Sequence, residues 1–113
     1  MLYIYENTVR LTRGDTAYLE VPIVAKLSDG TEQPYVMDAG DKLTLTIKKT
    51  VNDVTALVQK ELTGTNTFHF EPEDTTELAF GRYKYDVQLR TEAGDIYTII
   101  EPTTFEIMAE VTT

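Results

Sequence analysis

Apolar and polar residues alternate along much of this chain, which is the pattern of strands that bury one face and expose the other. The most regular segment runs from Lys42 to Thr50, with three aliphatic residues on its inward face, Leu43, Leu45 and Ile47. The segment after Gly81 alternates in the same way: Tyr83, Tyr85, Val87 and Leu89 face inward, and Lys84, Asp86, Gln88 and Arg90 face outward. Because the apolar residues of a helix recur every three or four positions, this period of two predicts β-strands.

Weaker alternation, interrupted by turn residues, predicts further strands. Asp29-Gly30 is the strongest hairpin signal, because this dipeptide readily adopts the positive φ angles of a two-residue turn. Pro22 donates no ladder hydrogen bond, so its strand is expected at a sheet edge or with a bulge. Lys60 interrupts an apolar face, which predicts a bulge or a strand that leaves the core. These strands are Leu2 to Glu6, Thr8 to Thr12, Thr16 to Val24, Gln33 to Met37, Val54 to Leu62, Asn66 to Phe70, Ile96 to Glu101 and Thr104 to Val111.

A single helical turn is predicted just before the tyrosine-containing strand. Pro72 suits a first helical turn, and the acidic residues that follow it would face the positive end of the helix dipole. In immunoglobulin-like sandwiches, a tyrosine near the start of such a strand hydrogen-bonds back across the corner that precedes it. The predicted corner consists of Asp74, Leu78, Gly81 and Tyr83. The alternative is that Tyr83 and Tyr85 are core aromatics whose hydroxyl groups reach solvent.

These elements together predict an all-β fold. We expect an antiparallel immunoglobulin-like β-sandwich of about seven to eight strands, with one helical turn near residues 72–79. A chain of 113 residues is predicted to form a single domain over residues 1–113, because two compact units would each be too small to bury a stable core. Seven tyrosines and four phenylalanines suit the half-buried surface of a sheet.

Composition narrows the classes of partner. The formal net charge is −9 and the ten basic residues are scattered in sequence, which argues against a nucleic-acid partner. The chain has no cysteine, which excludes disulfides, thiolate catalysis and cysteine-based zinc sites and favours folding in a reducing cytoplasm. The N-terminal segment has no basic region and its apolar run stops at Glu6, so we predict neither a signal peptide nor a membrane span.

Few residues are candidates for chemistry. Ser28 lies beside a predicted hairpin turn without the glycines of a nucleophile elbow, and His69 would point outward from a strand between two phenylalanines. The carboxylates closest in sequence all lie in predicted turns, where acidic side chains commonly cap the backbone: Asp38 with Asp41, and Glu71 with Glu73 and Asp74. No segment has the ligand spacing of a calcium loop. We therefore predict no catalytic, cofactor-binding or metal site, and a protein that is not an enzyme.

The tripeptide Arg13-Gly14-Asp15 matches the sequence that integrins recognise. It also fits a tight turn between two predicted strands, with Gly14 supplying conformational freedom. Three residues recur by chance in many proteins, so we interpret the tripeptide as a turn and keep adhesion as the alternative.

Several segments together resemble one family. They are the RGDTA segment at residues 13–17, GDKLTLTIKK at 40–49, the strand with Gly81, Tyr83, Tyr85 and Asp86, and the closing Phe105-x-Ile107 with its terminal Val-Thr. Over nearly its whole length the chain is similar to small proteins encoded in tail modules of prophages from Gram-positive bacteria, and to the N-terminal domain of phage baseplate upper proteins. Those proteins continue into long helical and receptor-proximal regions, whereas this sequence departs from them by stopping at Thr113.

The resemblance implies an immunoglobulin-like sandwich that serves as a structural or connecting component of a phage tail or baseplate. It implies synthesis in the bacterial cytoplasm followed by incorporation into the virion, contacts with other tail proteins or with further copies, and no catalytic residues. A carbohydrate- or cell-surface-binding module is the alternative, because β-sandwiches often present aromatic rings outward. That alternative would gain support if three or more of five tyrosines clustered on one exposed surface: Tyr3, Tyr5, Tyr18, Tyr35 and Tyr97.

Overall fold

The computed structural model describes residues 2–5, 7–26 and 28–109. Within these residues the chain forms ten strands and one short helix. In chain order they are β1 (Leu2–Tyr5), β2 (Thr8–Thr12), β3 (Ala17–Glu20), β4 (Val24–Lys26), β5 (Glu32–Pro34), β6 (Lys42–Lys48), β7 (Val58–Thr63), β8 (Thr67–Phe70), α1 (Pro72–Thr75), β9 (Gly81–Arg90) and β10 (Ile96–Met108). Glu6 and Val111, the predicted ends of the first and last strands, lie outside the described residues.

The strands form one large sheet and two small ones. The large sheet has six strands in the order β1-β2-β10-β9-β6-β7, and the small sheets are the pairs β3–β8 and β4–β5. All neighbouring strands are antiparallel except β2 and β10, which are parallel. The predicted antiparallel pairing therefore holds for every pair of neighbouring strands except this one. Alternation within a strand determines which residues face the core, but it carries no information about the direction of the neighbouring strand.

The core lies between the large sheet and the β3–β8 pair. From the large sheet, the aliphatic residues of β6 and the alternate residues of β9 predicted to face inward are all buried. From the other side, Leu19 of β3 and Phe68 and Phe70 of β8 pack into the same cluster. This arrangement confirms an all-β protein of the sandwich class, whereas an immunoglobulin-like strand order stays a prediction.

Strand β10 is continuous from Ile96 to Met108, although two strands were predicted over this region. The prediction was wrong, because Pro102 and Thr103, which separated the two predicted strands, belong to one continuous strand. In the structure, β10 keeps its pairing with β9 through two register shifts, between Thr98 and Ile100 and between Ile100 and Thr103. Each shift places an extra residue on β10, so the strand changes phase without leaving the sheet.

The strand predicted over Thr16 to Val24 is divided in the structure. β3 ends at Glu20 and β4 begins at Val24, with Pro22 in the gap. The backbone N–H of Val21 donates a hydrogen bond to the carbonyl of Asn66 at 2.9 Å, so the chain stays attached beyond β3. A proline without an N–H fits this irregular position better than a regular ladder.

Strand β7 begins later than predicted. Val54 was placed on its inward face, but that side chain is 96% exposed and β7 starts only at Val58. Lys60 causes no bulge, because β7 keeps a regular register with β6 and places Lys60 opposite Leu45 on the inward face. The aliphatic stem of a lysine can lie along apolar surface while its ammonium group reaches a polar partner, which explains how the inward position is tolerated.

Candidate interaction surface

The predicted corner connects strand β8 to strand β9. Helix α1 begins after Glu71, whose backbone N–H donates to the carboxylate of Asp74 at 2.7 Å. The same carboxylate pairs with the ammonium group of Lys60 at 2.8 Å, and the two side chains are only 21% and 22% exposed. The Lys60 ammonium also lies 5.5 Å from the ring centroid of Phe70. Asp74 therefore joins the start of the helix to the edge strand of the large sheet.

The other corner residues act at the start of β9. Leu78 packs against the core cluster. Gly81 has a φ of 137°, a conformation that residues with a side chain rarely adopt, while the space around its α-carbon is open. Tyr83 is 3% exposed and its hydroxyl donates to the carbonyl oxygen of Ala79 at 2.6 Å. The hydrogen bond predicted across the corner is present, and the Tyr85 hydroxyl likewise donates internally, to the carbonyl of Asn7.

Tyr83→Phe is expected to lower the free energy of unfolding by about 1 kcal/mol, because the Ala79 carbonyl loses its donor while the ring keeps its packing. Urea denaturation of the two proteins measures the difference. Tyr97→Phe is the matched control, since Tyr97 is 54% exposed, and it should change little. Equal stability of Tyr83→Phe and the unaltered protein would show that the bond contributes nothing to the corner.

The tripeptide Arg13-Gly14-Asp15 packs against the same corner. Gly14 has a φ of 82°, and its N–H donates to the hydroxyl of buried Thr75 at 2.8 Å. The guanidinium carbon of Arg13 lies 4.1 Å from the centroid of the Phe80 ring, and the same side chain donates to the Leu78 carbonyl at 3.4 Å. These contacts support the interpretation of the tripeptide as a structural turn, because they connect it to the corner.

The candidates for chemistry occupy structural positions. Ser28 is exposed at the β4–β5 turn. His69 points outward from β8 and stacks on Tyr18, with ring centroids 4.5 Å apart and planes inclined by 7°. Among residues 2–5, 7–26 and 28–109, no group of three or more His, Cys, Asp or Glu residues is placed to hold a metal ion.

The paired carboxylates differ in their surroundings. Asp41 is fully buried and accepts hydrogen bonds from the Tyr35 hydroxyl at 2.5 Å and from the backbone N–H of Asp38 at 3.0 Å. Glu71 and Glu73 hydrogen-bond to each other, which raises the pKa of Glu71 and lowers the pKa of Glu73. Asp41 thus serves as a buried acceptor for its own loop, as the turn interpretation predicted.

The tyrosines named for sugar binding have different partners. Tyr18 is 65% exposed and stacks on His69. Tyr35 is partly buried and bound to Asp41, and Tyr97 is exposed on β10. The side chains of Tyr3 and Tyr5 lie outside what the structure describes. Carbohydrate binding stays a prediction. It requires aromatic rings that face outward, and the Tyr18–His69 stack is such a surface.

The outer face of the large sheet carries a concentration of basic side chains that the linear sequence hides. The strand register aligns Arg10, Glu106 and Arg82 in one row across β2, β10 and β9. Thr104, Lys84 and Lys48 are aligned in the next row. Six of the chain's ten lysines and arginines occupy this face: Arg10, Lys42, Lys48, Arg82, Lys84 and Arg90.

The paired positions of this basic face carry three carboxylates against the six basic side chains. They belong to Glu61, Asp86 and Glu106. Glu106 accepts from the Nε atoms of Arg10 and Arg82, both at 3.2 Å, so one carboxylate serves two guanidinium groups. Glu61 lies 3.8 Å from the ammonium group of Lys42. Alternation predicts that Arg10 and Glu106 point outward, but their meeting depends on a parallel pairing that no sequence signal indicated.

A groove of about 440 Å³ crosses part of the same face. The residues of its floor come from β6, β7 and β9, and its walls come from the β6–β7 loop and from Pro102 of β10. Burial raises the pKa of Asp86 in the floor, and the positive charge of Lys48 partly opposes that shift. The partly buried carboxyl group of Asp86 lies in the row next to the paired Lys48 and Lys84, an arrangement of charges that suits contact with a polar protein surface.

In the part of the chain that the structure describes, no helix is long and apolar enough to cross a membrane. Comparison with known proteins found no matching family model, no matching curated protein and no matching solved structure.

Proposed function

We propose that this protein is a non-enzymatic structural component of a phage tail or baseplate and that it acts through protein–protein contacts. The observation that carries the proposal is the charged outer face of the six-stranded sheet, where the outward side chains of β6 and β9 are exposed or half-buried. Tail and baseplate components assemble through broad surfaces, and a flat sheet face with ordered charges supplies such a surface. The sequence resemblance supplies the phage context.

The hydrogen bonds made by the buried polar residues support a structural role. The buried Asp41 and the buried hydroxyl groups of Tyr83 and Tyr85 are all engaged in hydrogen bonds within the fold. No buried side-chain nitrogen or oxygen among the described residues lacks a hydrogen-bond partner. Catalytic sites commonly hold polar groups poised for a substrate, whereas here the polar groups inside the fold serve the fold itself.

The proposal predicts that the protein is present in phage particles. Particles induced from the bacterial strain that carries the gene would be purified on a density gradient and analysed by quantitative mass spectrometry. We expect this chain in a fixed ratio to the other tail proteins, and we expect deletion of the gene to give defective tails in electron micrographs. An abundant cytoplasmic protein of the host serves as the control for contamination.

Absence of the chain from intact, infectious particles would overturn the tail assignment. The carbohydrate alternative has its own readout, because Tyr18 is its exposed ring. Co-sedimentation of the purified protein with host cell walls, abolished by Tyr18→Ala, would favour that alternative over a structural role.

A further inference from the structure

The charged residues of the protein are separated between its two sides. The outer face of the large sheet carries the six basic residues named above, with three carboxylates at its paired positions. The other side, which we call the acidic side, consists of residues 17–26, 28–34 and 67–80, the segments of β3, β4, β5, β8 and the corner. By sequence, these segments contain seven acidic residues and one basic residue: Glu20, Asp29, Glu32, Glu71, Glu73, Asp74 and Glu77 against Lys26. Two basic side chains from outside the segments also reach this side, Lys60 at Asp74 and Arg13 at Phe80, and the acidic residues remain in excess.

Both sides expose their charges. On the basic face, the Arg82 side chain is 80% exposed, and that of Arg10 is 53% exposed. On the acidic side, Glu20 points outward from β3, and Glu32 is exposed on β5. The core lies between the large sheet and the β3–β8 pair, so the outward face of β3 and β8, with Glu20, points away from the basic face.

We infer that copies of this chain associate front to back, with the basic face of one copy on the acidic side of the next. The inference rests on the proposed structural function and names a partner for it, a second copy of the same chain. Charge complementarity selects this pairing, because two basic faces or two acidic sides would repel each other. The contact is heterologous, so it leaves one free surface of each kind and propagates into a ring or a filament.

The acidic side also has an aromatic feature suited to the centre of such an interface. Tyr18 and His69 form an exposed, nearly parallel stack on adjacent strands, and Glu20 lies two residues from Tyr18 on the same face. Aromatic rings at the middle of an interface commonly contribute much of its binding energy, with charged residues around them. The arginines of the basic face can lie flat on such rings.

The first test is the dependence of self-association on salt. Sedimentation equilibrium from about 10 μM to 1 mM protein covers the range of weak protein association. We expect a mass above that of the monomer at about 0.01 M salt and a monomer at about 1 M salt, where the Debye length falls to about 3 Å. The repulsion between copies of net charge −9 also weakens with salt, so non-specific electrostatics would change the mass in the opposite direction.

The second test uses charge reversals on each surface. Glu20→Lys with Glu32→Lys alters the acidic side. It should weaken self-association about tenfold or more, although it makes the net charge less negative and so reduces the general repulsion between copies. Glu92→Lys with Asp95→Lys is the matched control, because it changes the net charge equally at the exposed β9–β10 turn. That control should associate at least as well as the unaltered protein.

The complementary variant alters the basic face by Arg82→Glu with Lys84→Glu. It should also lose self-association. When it is mixed with the acidic-side variant, association should return, because each variant then presents the charge that the other lacks. Melting curves of every variant verify that the fold is retained, which is expected since all six altered side chains are exposed.

A monomer at every protein concentration in low salt would overturn the inference. So would association that is insensitive to salt, or a mixture of the two variants that stays monomeric. None of these results bears on whether the chain is present in phage particles, so the front-to-back contact and the tail assignment can fail independently.

Discussion

Phe105→Ala is expected to lower the free energy of unfolding by about 3–5 kcal/mol, the largest effect among the substitutions considered. Phe105 lies on β10 and is fully buried. Its ring centroid is 5.6 Å from that of Phe70 in a tilted arrangement and 5.7 Å from that of Tyr85 in an edge-to-face arrangement. The ring therefore joins the large sheet to the β3–β8 layer through aromatic contacts on both sides.

The cost has two sources. Removal of the ring forfeits the burial of a large apolar side chain, and the neighbouring backbone strands cannot collapse fully into the cavity that remains. The two aromatic pairs add about 0.5–1.5 kcal/mol each beyond burial, and both are lost. Because small domains are stable by only about 5–15 kcal/mol, this single change would remove a large part of the total.

Urea denaturation followed by circular dichroism measures the effect. Phe105→Leu should cost clearly less, since it keeps most of the apolar volume. Val54→Ala is the surface control and should have almost no effect, because Val54 is 96% exposed. A loss below about 1 kcal/mol for Phe105→Ala would contradict the central position assigned to this ring.

Two strands of the large sheet, β6 and β9, were the most predictable part of the fold. β6 and β9 are each paired on both edges, and one face of each is covered by the second layer. That environment requires strict alternation, so the inward residues of both strands could be identified from the sequence alone. The Tyr83 hydrogen bond was predictable for a related reason, since its two partners are only four residues apart in the chain.

Features that depend on distant pairing could not be predicted. Two strands were predicted on either side of Pro102, but the pairing between β9 and β10 continues past this residue and makes them one strand. Lys60 indicated a bulge until the structure supplied its partner, Asp74. The basic face has the same origin, because its side chains come from β2, β6 and β9 and meet only when those strands share a sheet.

Asp41 shows how a local signal can be interpreted correctly and still be underestimated. The sequence placed it in an acidic turn, and the structure shows a side chain with no exposed surface that binds three separate donors. One carboxylate oxygen accepts from the Tyr35 hydroxyl and the Asp38 N–H, and the other accepts from the backbone N–H of Glu92 at 2.9 Å. The Asp41 carbonyl also accepts from the N–H of Gly64 at 2.9 Å. The residue thus holds three loops together at one end of the sandwich.

Asp41→Asn is expected to lower the melting temperature by about 10 °C, the second large effect. An amide offers one acceptor oxygen where the carboxylate offers two, and its NH₂ group faces a donor that it cannot satisfy. Asp38→Asn is the matched control, because Asp38 is exposed and contributes to this network through its backbone N–H. Differential scanning calorimetry near pH 7 compares the variants, and equal melting temperatures for Asp41→Asn and the unaltered protein would contradict the role of this carboxylate.

The pH dependence of the same variant tests the charge itself. The hydrogen bond from Tyr35 is the main reason that the pKa of Asp41 lies below its usual value of 3.8. The unfolded chain therefore binds a proton more readily, so the stabilisation is present above pH 3.8 and is lost as the pH falls through the lower folded pKa. The same bond is the main reason that the pKa of Tyr35 is raised to about 12. The stability that the protonated Tyr35 hydroxyl contributes is complete below pH 10.0, the usual pKa of tyrosine, and is lost as the pH rises towards 12. In Asp41→Asn, the free energy of unfolding should therefore change less with pH in both the acid and the alkaline range. An unchanged pH dependence in both ranges would show that the bond does not depend on the carboxylate charge.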